Sequence, residues 1–74
     1  MKYILNKNAQ MGTGCHKIHT IDCTKRPREE NTIDLNECIC PIEAKSRAKE
    51  YYAIVSGCSY CCKSIFSKKY MMGL

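Results

Sequence analysis

The chain has 74 residues, seven cysteines, two histidines and a net charge of +5, which makes it one domain, too small to be held securely by an apolar core alone. An odd number of cysteines leaves one thiol over from any pure disulfide framework, and no stretch approaches the ~20 apolar residues of a membrane span. The positive charge favours anionic partners such as nucleic acid, although acidic and basic residues are interspersed along most of the chain and serve solubility as well.

The first residues, MKYILNKNAQ, lack the apolar run and small-residue cleavage site of a secretory signal. A cytoplasmic, reducing setting is expected, where clustered cysteines bind metal or carry redox chemistry. Tyr3-Ile4-Leu5 reads as a short strand that turns at Asn6-Lys7-Asn8, because asparagine bonds its own backbone and tolerates left-handed conformations. Gly12-Thr13-Gly14 continues the loop. Lys17 to His19 returns as a second strand with Ile18 inward. Asp22 is placed to cap a brief helical turn that carries Cys23 and stops before Pro27. Arg26 to Asn31 is a charged connector. Thr32-Ile33-Asp34-Leu35 alternates in the manner of a half-buried strand.

The clearest element is a helix from about Pro41 to Ser56. Proline suits its first position, Glu43 and Arg47 form an i,i+4 pair, and Ala44, Ala48, Tyr51, Tyr52 and Val55 make one apolar stripe. Gly57 sits where a helix commonly ends in a left-handed residue, so the helix is expected to lead directly into Cys58. The fold class expected is a small α+β domain stabilised by zinc: a short hairpin or three-stranded sheet, and one main helix leading into a C-x-x-C turn. It spans residues 1–62, with a basic tail or short terminal helix over 63–74.

Cys58-Ser59-Tyr60-Cys61 aims two sulfurs at one point from a tight turn. His19 and Cys23, three residues apart, supply a second pair. Zinc takes thiolate and imidazole ligands in a tetrahedron, and a site closed by four of them is structural. His19, Cys23, Cys58 and Cys61 are therefore the candidate ligands of one zinc ion. A redox dithiol of the thioredoxin kind wants its C-x-x-C at the start of a helix, whereas here the motif comes after the expected helix.

These residues also resemble a family. Tyr3-Ile4-Leu5-Asn6-Lys7-Asn8, then Ile18-His19-Thr20-Ile21-Asp22-Cys23, then Glu30-Asn31 ahead of a strand, then a helix and Cys58-Ser59-Tyr60-Cys61, are similar to the small Ada-like zinc-binding domains. Those are related in shape to the N-terminal metal-binding domain of the Ada DNA-repair protein. They occur alone or appended to nucleases and other bacterial and phage DNA-processing proteins. The resemblance covers roughly Tyr3 to Cys61 and implies the fold, the same four ligands and a weak connection to DNA. Residues 10–16 look like an insertion in the first hairpin, and the stretch between Cys23 and Cys58 is longer than usual. The Ada protein's first ligand is a cysteine that accepts a methyl group from a DNA phosphotriester. His19 falls on that position, and an imidazole does not serve as that thiolate acceptor.

Cys62 competes with Cys61 as a partner for Cys58; the tighter turn and the family pattern favour Cys61. Cys15, His16, Cys38 and Cys40, with Cys62, offer material for a second site or simply pack as free thiols. Lys63, Lys68 and Lys69, interleaved with Tyr60, Phe66 and Tyr70, mix cations and aromatics as single-strand binders do; a solvated tail has the same composition. The function expected is a non-catalytic zinc module binding nucleic acid, DNA or RNA. The alternative is a structural or protein-interaction zinc domain. Four good ligands leave no open position for a catalytic water, so neither an enzymatic role nor a small-molecule substrate is expected. No membrane is expected among its partners.

Overall fold

The computed structural model describes residues 1–62 and Ile65. The expected tail over 63–74 otherwise lies outside the described residues. Among the described residues four strands and one helix run in the order β1 (Lys2–Asn6), β2 (His16–Thr20), β3 (Thr32–Glu37), α1 (Pro41–Ala48) and β4 (Val55–Gly57), with a 3-10 turn at Glu29–Asn31 before β3. The sheet runs β3-β1-β2-β4. β1 is antiparallel to both its neighbours, and β2 and β4 are parallel. The sheet is thus four-stranded and mixed, one strand more than the sequence leads one to expect.

Alternation of side chains divides this sheet into two faces. Leu5 and its cross-strand partner Ile18 point to one of them and are fully buried. They join Tyr3, Leu35, Cys38, Val55, Cys62 and Ile65 in a core closed by Ala44 and Ala48 of α1. Ile4 and its partner His19 lie on the other face. Ile33 and Leu35 of β3 share the core side by alternation, and a bulge opposite Tyr3 and Ile4 leaves Leu35 as the extra residue between their partners Asn36 and Asp34. Asn36 absorbs it at a positive φ of 64°, a conformation asparagine tolerates. Arg47 of α1 caps the carbonyls this exposes, donating from Nη1 to Leu35 O and Glu37 O, each at 2.8 Å. At the head of α1, Pro41 occupies the first turn and Glu43 reaches back to accept the Ile39 N–H at 2.9 Å. The expected Glu43–Arg47 pair forms at 3.7 Å.

Two expectations are corrected. The segment carrying Cys23 is a pair of turns, not a helical one. The helix stops at Ala48 instead of Ser56. Lys49 still bonds Lys45 O, but Glu50 and Tyr51 reach only three residues back, to Arg47 O and Ala48 O, and the coil unwinds. The chain continues through Tyr51, Tyr52, Ala53, Ile54 and Val55, and its aromatic and β-branched residues prefer a pleated surface to a helix. β2 offers an open edge, and β4 takes it in the register His16↔Val55, Lys17↔Ser56 and Ile18↔Gly57. Tyr52 is drawn in beside it, its ring stacked on His16 at 3.5 Å between centroids. Val55 therefore enters the core from a strand.

Gly57 is glycine because of a close approach. A Cβ there would collide with the Ile65 side chain and stand 2.5 Å from Cys62 O and 2.7 Å from Cys62 Cβ. The Cys58–Cys62 turn folds directly back over it. Gly57→Ala is expected to cost about 2 kcal/mol or more, since part of the obstacle is backbone. Chemical denaturation monitored by circular dichroism reads the loss.

Candidate metal centre

Two neighbouring parallel strands deliver the candidate ligands off their C-terminal ends. His19 is the penultimate residue of β2, and Cys23 lies in the turn after it. Cys58 is the first residue beyond β4, and its N–H continues the β2–β4 ladder by donating to Ile18 O at 2.9 Å. The Cys58–Cys61 pair is thus carried by a strand, not by the end of the helix.

The resulting geometry suits a tetrahedral ion. A ring nitrogen of His19 and the sulfurs of Cys23, Cys58 and Cys61 all lie within 4.8 Å of one another. The Cys23 and Cys58 sulfurs are 4.0 Å apart. A tetrahedron with ~2.3 Å metal–sulfur bonds sets sulfurs roughly 3.8 Å apart. His19, Cys23 and Cys58 are buried and Cys61 is half-buried. The His19 Nδ1 is buried without a hydrogen-bond partner among the described residues. Such an atom costs free energy unless something fills its lone pair. An ion bound through this nitrogen would do so.

Each sulfur accepts a backbone N–H. Lys25 donates to Cys23 at 3.4 Å, Tyr60 to Cys58 at 3.4 Å, and Thr20 to Cys61 at 3.3 Å. The first two are the same device in two places: a cysteine, a hydroxyl residue, then the donor, in Cys23-Thr24-Lys25 and Cys58-Ser59-Tyr60. Such donors spread thiolate charge and fix the sulfur's direction. With a dication, three thiolates and a neutral imidazole, the site carries one net negative charge.

Protonation is set by burial and these donors. Burial opposes ionisation at Cys58, but the N–H groups of Cys61 and Tyr60 together with the Cys61 and Cys23 thiols outweigh it, and the thiol ionises below its ordinary range. Cys23 is pushed up to about 11, mainly by burial and against the help of the Lys25 N–H. Burial also raises Cys61. His19 is lowered by burial and then by the Lys17 and Arg26 cations, so its imidazole is neutral at physiological pH. A metal must therefore displace protons from Cys23 and Cys61 but not from His19. Affinity is expected to rise with pH between about 7 and 9, by at least roughly 100-fold per unit, because the Cys23 and Cys61 protons must both leave. Competition with a chromophoric chelator at stepped pH measures the slope.

Cys62, the rival of Cys61, lies elsewhere. Its sulfur is 3.7 Å from that of Cys61, but the residue is 1% exposed and packs in the core beneath α1. The turn closed by the Cys62 N–H on Cys58 O, at 2.9 Å, carries it past the ligand cluster to the helix side of the sheet. The second-site candidates do not come together. Cys15 and Cys38 are buried, Cys40 caps α1, and His16 stacks on Tyr52. Among the described residues no other group of three or more His, Cys, Asp or Glu side chains is placed to share an ion. Of the candidate nucleic-acid contacts, Lys63, Phe66, Lys68 and Lys69 lie outside the described residues. Tyr60 is 68% exposed, and Lys25 stands over its ring, with Nζ 5.1 Å from the centroid. Sequence reasoning missed Lys25. The repeated Cys-hydroxyl-x pattern was the available signal.

No helix among the described residues is long and apolar enough to cross a membrane. No family model, curated protein or solved structure matches the chain.

Proposed function

We propose that the protein is a non-catalytic zinc module in which His19, Cys23, Cys58 and Cys61 close one zinc ion, and that its partner is nucleic acid. The observation behind the metal is the four-donor cluster formed by a ring nitrogen of His19 and the sulfurs of Cys23, Cys58 and Cys61. Three thiolates and one imidazole in a tetrahedron select zinc over harder ions. A shell of four protein donors leaves no position for a reactive water, so the ion is structural and the module is no enzyme. The motif order agrees with the Ada-like domains, and membership is proposed on that resemblance. The histidine at the first ligand position denies it the phosphotriester chemistry of the Ada protein.

The nucleic-acid part rests on the +5 charge and the company such domains keep. Gel-shift titration of the zinc-loaded protein against single- and double-stranded DNA and RNA at low salt tests it. Binding that weakens as salt is raised supports the reading. No binding to any of them at tens of micromolar removes it.

One observation favours a protein-interaction role instead. Ile39 and Ile42, at the head of α1, are 93% and 66% exposed. Light scattering that finds a dimer, lost on Ile42→Glu, would move the assignment to that reading.

A further inference from the structure

We propose that single-stranded nucleic acid docks on the face formed by the two cysteine turns, with a base stacked on Tyr60 and phosphates met by Lys25 and Arg26. This rests on the nucleic-acid reading above and says where on the molecule it operates.

Lys25 and Tyr60 occupy equivalent positions in the two turns. Each is second after a cysteine, and each has its N–H committed to that cysteine's sulfur. Their backbones are therefore held at the ligand cluster, and Lys25 Nζ lies over one face of the Tyr60 ring, 5.1 Å from its centroid. A rigidly mounted, 68% exposed tyrosine loses little freedom when a base stacks on it. A base that stacks on that face takes the place of the Lys25 ammonium, which is then free to meet a phosphate.

Arg26 adds a second fixed cation. Its Nη1 donates to Ile21 O at 2.6 Å, which holds the guanidinium beside the turn. Neither Lys25 nor Arg26 pairs with a carboxylate among the described residues, whereas Arg28 lies 3.9 Å from Glu30. Asp22 is the single acidic residue between Ile21 and Arg28. Cations around an exposed aromatic ring match an anionic chain with free base faces. A duplex hides those faces in its stack, and an acidic peptide has none, so a single strand is the occupant the surface fits.

The test is fluorescence anisotropy of the zinc-loaded full chain with oligo-deoxythymidine and oligo-uridine, each of about twelve nucleotides. Tyr60→Ala is expected to weaken binding at least about fivefold and Tyr60→Phe to restore it, as stacking requires. Lys25→Glu is expected to weaken binding and flatten its salt dependence. Zinc stoichiometry, read on every variant, separates lost contacts from lost fold. The two oligomers distinguish DNA from RNA. If the wild type binds neither, the nucleic-acid reading itself fails. If it binds but Tyr60→Ala and Lys25→Glu bind equally well, the reading stands and this surface is overturned. Polyglutamate that competes with the oligomers, at an affinity untouched by Tyr60→Ala, marks a merely cationic face and overturns it too.

Discussion

Stripping zinc with a strong chelator is expected to unfold the protein, and restoring zinc to refold it. The size of the effect comes from two scales. A domain of 74 residues has a net stability of about 4–11 kcal/mol. Structural zinc contributes on the order of 10–16 kcal/mol of apparent binding free energy in comparable small domains. The loss therefore equals or exceeds everything else that holds this fold. Its origin is local. Without an ion, three sulfurs and a ring nitrogen of His19 are left crowded within 4.8 Å at the ends of β2 and β4. β4 has only three residues, and both turns beyond these strands converge on the cluster. Circular dichroism and amide exchange, recorded with and without chelator, track the transition. A chain that purifies without zinc and keeps its cooperative unfolding in chelator contradicts the metal assignment outright.

The sequence carried some of this architecture and withheld the rest for identifiable reasons. Tyr3-Ile4-Leu5 is a short apolar run, Ile18 stands between polar neighbours and Ile33 and Leu35 alternate with them, and the first three strands can be read from these patterns. Pro41 and Glu43 mark where α1 begins. Its end was illegible because Tyr51, Tyr52 and Val55 fall at helical spacing while their residue types favour a strand. The open edge of β2, a long-range feature, decides between the two. Gly57 misled for a similar reason. Glycine serves a left-handed cap and a close approach alike, and only the position of Cys62 tells them apart. The four donors at the centre were picked out by spacing, since H-x-x-x-C and C-x-x-C each keep two side chains within reach of one point. That strands deliver them, and that Lys25 and Tyr60 mirror each other around them, depends on the parallel pairing of β2 with β4.

Cys58→Ser and Cys62→Ala are expected to part company by a wide margin, although both residues are buried cysteines in one five-residue turn. Serine at 58 replaces the sulfur that ionises most readily, the one to which Cys61 and Tyr60 direct their N–H groups. A hydroxyl does not ionise at neutral pH and is a poor zinc donor. The loss of affinity should exceed the ~10–100-fold that comes from disturbing an outer-shell group, and the variant should behave as the chelated wild type does. His19→Ala should act in the same direction, removing one donor and exposing the site to water. Cys62→Ala takes a sulfur from the core instead. Removing one buried atom of that size costs about 1 kcal/mol, with full zinc stoichiometry retained. Measuring bound zinc and chelator-induced unfolding on these three variants and on Cys61→Ser separates the roles. If Cys62→Ala loses zinc while Cys61→Ser keeps it, the ligand set is His19, Cys23, Cys58 and Cys62. The turn must then roll by one residue in the metal-bound protein, drawing Cys62 out from under α1 and leaving a gap between Ala48 and Ile65, its companions in the core. That rearrangement sacrifices buried contacts which the Cys61 arrangement keeps, and for this reason the expected result assigns the fourth bond to Cys61.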